Sequence, residues 1–142
     1  MKKILIALLC ATSCSLAAAE CDDTLKKLDP AWKSMESRVK RLVGQSGQRT
    51  LLDMAFAQVA VDACPDLAIN AKGYRDAFAG LIKGKTQNAA EHRRFEHALM
   101  TDFGVYTGLI LAESFIDKPA FCRSVDKVKA GKSGPTRFWT AR

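Results

Sequence analysis

Residues 86–115 read TQNAAEHRRFEHALMTDFGVYTGLILAESF, and the fold turns on them. Phe95, Leu99, Tyr106, Leu109 and Ile110 recur at helical offsets, which predicts one long helix over 87–115. Residues 103–112 carry no charge, so the middle of this helix is expected to be buried nearly all round. Ten uncharged residues between Asp102 and Glu113 are too few to span a bilayer. Gly104 and Gly108 stand four apart, a spacing that lets a second helix pack closely or marks a kink.

Working outward, the helical period persists. Asp29-Pro30 looks like a cap followed by proline at the first helical position. Trp32, Met35, Val39 and Leu42 then share a face, and Gly44 is read as its stop. Residues 44–50 (GQSGQRT) are expected to turn. Thr50 and Asp53 have capping-box spacing for a second helix with Leu52, Phe56, Val59 and Ala63 inward, ended by Pro65. After a loop over 65–69, Asn70 caps a third helix carrying Tyr74, Ala77, Phe78, Leu81 and Ile82, with Gly84 beyond it. Asp117-Lys118-Pro119 opens a last helix with Phe121, Cys122, Val125 and Val128 inward and Gly131 as its stop. No segment alternates long enough to predict a strand. The expected fold is all-α: a single small bundle of about five helices, stapled by a disulfide.

The two ends of the chain differ in kind from this body. Lys2 and Lys3 precede the apolar run 4–9, and Ala17-Ala18-Ala19 is a small-residue cleavage pattern. These are the three parts of a secretory signal peptide, so 1–19 is expected to be removed after Ala19 and the remainder to be periplasmic or secreted. A lipoprotein attached through Cys14 is the alternative, though Ala11 stands where a larger aliphatic residue belongs. The domain proper is 20–131. Residues 20–126 hold fifteen Lys or Arg and fifteen Asp or Glu, which cancel. The mature excess sits in Lys127, Lys129, Lys132, Arg137 and Arg142, so the basic character is a property of the tail and does not indicate nucleic acid.

Cys21, Cys64 and Cys122 survive cleavage and permit three single bridges. Cys64–Cys122 is preferred because both lie at helix boundaries in apolar context, whereas Cys21 lies near the new terminus and could instead join two chains as a dimer. Residues 132–142 (KSGPTRFWTAR) have no period and read as a basic aromatic tail. Lys132, Arg137, Phe138 and Trp139 either anchor the protein to a partner or anionic envelope surface, or Phe138 and Trp139 fold back to cap the core.

Catalytic and metal motifs fail on spacing. Glu91, His92, Glu96 and His97 are the one His/acid cluster, but H-x-x-x-E-H is a residue too long for an inverted zincin, and the two imidazoles stand about 140° apart round a helix. Ala130-Gly131-Lys132-Ser133 resembles the end of a phosphate loop, yet Asp126 occupies the required glycine position. No metal or other cofactor is expected. Cys122 at a helix start could serve as a nucleophile with His92 or His97 as base, although an oxidising compartment favours its bridging instead. The reading that follows is a non-enzymatic periplasmic helical protein that binds another envelope protein as an inhibitor, immunity-type partner or chaperone-like factor. The alternatives are attachment to anionic lipid or peptidoglycan through the tail, and a small thiol or metal enzyme.

Overall fold

A computed structural model gives the conformation of residues 26–132 and 134–141. Residues 1–25, with the expected export signal, Cys10, Cys14 and Cys21, lie outside the described residues, as do Ser133 and Arg142. The described chain is mostly helical: α1 (Asp29–Ala63), α2 (Ala71–Ile82), α3 (Ala89–Ile116) and α4 (Lys118–Gly131). A 3₁₀ helix (Gly134–Phe138) and two strands, β1 (Leu67–Ile69) and β2 (Trp139–Ala141), complete it.

Four helices replace the expected five because 44–50 does not turn. Gly44 alone leaves helical geometry, at φ 78° and ψ 175°, and the helix resumes at once. Only glycine adopts that backbone without a steric penalty. Gly47, the second glycine of the supposed turn, is helical and buried. A Cβ there would stand 2.6 Å from Val43 Cβ and 3.1 Å from Leu81 Cδ2, so its role is to admit neighbouring side chains. Thr50 and Asp53 likewise lie inside the helix and do not cap one.

Beyond the kink, α1 becomes the centre of the bundle. Leu51, Met54, Ala55, Ala57, Val59 and Ala60 are all buried, because the other elements gather around this half. Cys64 leaves the helix in extended conformation before Pro65, and it is bonded to Cys122 of α4 with the Cα atoms 5.7 Å apart. Closing 58 residues of chain in this way contributes about 4 kcal/mol by loop entropy. The caps of the later helices are built as their sequences suggest. Asn70 Oδ1 accepts from the Gly73 amide, Asn88 Oδ1 from Ala90 and Glu91, and Asp117 Oδ1 from Ala120.

The final residues are not a loose tail. Lys132 turns the chain in a left-handed conformation, and the 3₁₀ helix and β2 hook back across α1. β2 pairs antiparallel with β1, Ile69 opposite Trp139 and Leu67 opposite Ala141. Two strands therefore form where none was expected, each only three residues long. Phe138 and Trp139 enter the core, where burial of each ring stabilises by roughly 1.5–3 kcal/mol. Trp139 Nε1 donates to the Ala57 carbonyl at 3.1 Å, which satisfies the one polar atom the indole brings inside. Tyr74 meets Phe138 edge-on at 5.2 Å, and Phe56 packs on both Trp139 and Phe121. Of the two expectations for these aromatics, the fold-back is what the chain does.

Candidate functional site

α3 runs antiparallel to the first half of α1 and faces it with Leu99, Asp102, Tyr106 and Ile110. This contact is partly polar. Trp32 Nε1 donates to Glu113 Oε1 at 2.6 Å, Arg38 donates to the buried Asp102 carboxylate, and the Trp32 and Tyr106 rings stack at 5.7 Å. The Asp102 side chain is all but closed off from water, and its pairing with Arg38 ties α3 to α1.

Among the described residues nothing covers the opposite side of α3. Met100 is 50% exposed, Val105 38% and Phe115 77%. Between them Gly104 and Gly108 face open space: a Cβ built on either would meet nothing within 4 Å. The expectation that 103–112 is buried nearly all round is therefore corrected. One side packs on α1, α2 and α4, and the other is bare among the described residues. Close packing at the two glycines is likewise absent from the described chain. By length and composition α3 could cross a membrane, with a mean hydropathy of 1.3 in its most apolar window, which the ten-residue run alone could not. Only 28% of that window is buried, fewer contacts than a core helix makes.

The bare face has a charged border. A groove of about 550 Å³ separates it from α1 and is lined by Arg38, Arg41, Leu42, His97, Thr101 and Asp102. Arg93 and Arg94 stand exposed at the amino-terminal end of the same helix. The one carboxylate in the groove, Asp102, is committed to Arg38, so the edge toward α1 is net cationic.

The residues singled out at the tail divide. Phe138 and Trp139 are core residues and are not available to a partner. Lys132 and Arg137 stay exposed and meet Arg49, Thr50 and Asp53 of α1 in a separate cleft. Arg137 Nη2 donates to Thr50 Oγ1 at 3.2 Å and lies 3.6 Å from Asp53 Oδ2, with its guanidinium 4.7 Å over the Phe138 ring. Burial pushes the Asp53 carboxyl above its ordinary range, and Arg137 and then Arg49 oppose the shift. Thr50 and Asp53, expected to cap a helix, lie inside α1, where Arg137 of the hook engages both.

His92 and His97 are exposed on α3, and His92 Nδ1 lies 3.4 Å from Thr86 Oγ1. Glu91 reaches back to the Gln87 amide. Among the described residues no group of three or more His, Cys, Asp or Glu side chains is placed to hold a metal. Cys122 is in the bridge, where it has no thiol to ionise. Sequence reasoning missed Met100, Val105 and Phe115. The available signal was that Met100, Gly104, Gly108 and Phe115 form a second uncharged face opposite Leu99, Tyr106 and Ile110, more than a domain this small can enclose. No protein-family model, curated protein or solved structure matches this chain.

Proposed function

We propose that this is a non-enzymatic helical protein of the bacterial periplasm that binds another envelope protein along the outer face of α3. The observation that carries the reading is the pair of open glycines, Gly104 and Gly108, in the middle of an uncharged, exposed helix face. A glycine inside a helix costs about 1 kcal/mol relative to alanine, and nothing within the described chain requires either one. Their use lies in contact with something else: they allow a partner helix to approach to backbone distance, while Met100, Val105 and Phe115 supply the apolar contacts. The cationic border of Arg38, Arg41, Arg93 and Arg94 selects the partner's chemistry, a helix with a small or apolar seam and acidic residues along its edge. An inhibitor, an immunity-type partner and a chaperone-like factor all work by such a surface.

Gly108→Leu tests this without disturbing the fold, since the added side chain enters open space. Wild-type and G108L proteins would be crosslinked in envelope extracts and the crosslinked segments sequenced. The reading expects a helical, acid-edged segment joined to α3 in wild type and lost in G108L at unchanged helicity. Identical partners on both proteins would overturn it. So would a concentration-dependent homodimer abolished by G108L, which would make the occupant a second copy.

A further inference from the structure

The cleft between the hook and α1 is chemically distinct from the α3 face and independent of it. Arg49, Lys132 and Arg137 converge there with the hydroxyls of Ser46, Thr50 and Thr136 around one carboxylate, Asp53. Three cations against one anion leave a formal excess of two positive charges in about 400 Å³, room for a small group but not for a folded partner. The chain's charge balance makes this concentration specific. Residues 20–126 are neutral overall and the mature excess begins at Lys127, yet the hook carries Lys132 and Arg137 back onto Arg49, more than eighty residues away in sequence.

The cleft is also held in shape. Asp53, whose side chain is 16% exposed, and Thr50 fix the Arg137 guanidinium, and the Phe138 ring supports it from beneath. Gly134 closes on Asp53 so tightly that a Cβ would sit 3.1 Å from Oδ1, at a backbone φ of 56° that favours glycine. Lys132 is held at φ 49°, a helix-ending conformation that glycine fills at lower cost, and it lines the cleft. The side chains of Arg49 and Lys132 form no salt bridge among the described residues. A preset guanidinium, two uncommitted cations and three hydroxyl donors match a tetrahedral oxyanion of charge two.

We propose that the cleft lined by Arg49, Lys132 and Arg137 binds a dianionic phosphate group, free or on a lipid head. Inorganic phosphate titrated into the isotope-labelled protein, with ionic strength balanced by chloride, should saturably shift the amides of Ser46, Thr50 and Thr136. Arg49→Gln, and separately Lys132→Gln, should each weaken that binding about tenfold, the loss expected for one charge-assisted hydrogen bond. Lys118→Gln, at the far end of α4, should leave it unchanged, and melting temperatures should stay level throughout. A second arm measures binding to phosphatidylcholine vesicles with and without phosphatidic acid. Phosphate binding weakened by R49Q supports the proposal with the free ion as source. Binding only to phosphatidic acid vesicles, weakened by R49Q, supports it with lipid as source. No binding in either arm, shifts reproduced by chloride, or binding insensitive to both R49Q and K132Q overturns it.

Discussion

Residues 51–60 and 103–112 are two ten-residue stretches of helix in the same bundle, and their burial inverts their composition. The first, LLDMAFAQVA, contains an aspartate and a glutamine, yet Leu51, Met54, Ala55, Ala57, Val59 and Ala60 are sealed from solvent. The second, FGVYTGLILA, has no charge at all, yet only Tyr106 and Ile110 are buried. Position in the packing decides the difference. α1 beyond its kink is wrapped by α3, α2, α4, the strands and the hook, and its two polar side chains leave through gaps: Asp53 to Arg137, Gln58 to Asp62. α3 lies at the edge: α1, α2 and α4 meet one side of it, Phe103 packing on Tyr74 and Phe78 of α2, and among the described residues nothing covers the other. An apolar run thus reports what a helix can bury, and the elements available to cover it determine what it does bury.

The largest test of this contrast is a pair of truncations. Leu51→Ala should destabilise the protein by about 2–5 kcal/mol, the cost of a core cavity. Phe115→Ala removes a larger side chain from the exposed face and should change stability by less than about 0.5 kcal/mol. Urea unfolding of both variants measures the difference, and comparable losses would mean that the α3 face is covered in the isolated protein. Adding volume reverses the experiment. Ala57→Leu has no space to enter and should cost about 1–3 kcal/mol through overpacking, whereas leucine at Gly104 meets nothing and should cost none.

Most helix boundaries were legible because they are written locally. Asn70, Asp117 and Pro65 act within a turn of their own positions, and Cys64 and Cys122 stand at helix ends facing one another. What could not be read depends on distant partners. β1 and β2 are each too short to show alternation and form only because the hook brings Trp139 to Ile69. Gly47 resembles a turn residue until Leu81 is placed against it. The candidate α3 site was illegible for the same reason: its residues were visible, but a bare face is defined by what fails to cover it. Lys132 and Arg137 were marked from composition, and Arg49 was not, since only the fold joins them.

A smaller effect separates the two regions by pH. Tyr74 donates to the Met54 carbonyl, beside the sealed stretch, and Tyr106 lies within the open one. Burial raises both phenols above the ordinary value of 10.0; for Tyr74 the Asp62 charge adds to it, while for Tyr106 the Gln48 hydrogen bond opposes it. A raised folded value means that both states are protonated below about pH 10 and stability is complete there. Above it the unfolded chain ionises first, and stability falls by about 1.4 kcal/mol per pH unit for each tyrosine until the folded phenol ionises. Tyr74→Phe should therefore remove a loss of stability that continues to higher pH than the loss Tyr106→Phe removes. Losses that end at the same pH would show that the two phenols are desolvated alike.

The smallest expected change bears most directly on what the open face is for. Gly104→Ala and Gly108→Ala should each stabilise the isolated protein, by up to about 1 kcal/mol, because alanine is the better helix former and its methyl meets no neighbour. Two sites at which stability rises on adding one carbon are sites at which the folded monomer alone has no use for glycine. If the alanine variants gain stability and lose the crosslinked partner, the cost of each glycine is offset in the complex and not in the fold. If they are less stable instead, α3 is packed against something in the free protein, and the contrast between 51–60 and 103–112 disappears.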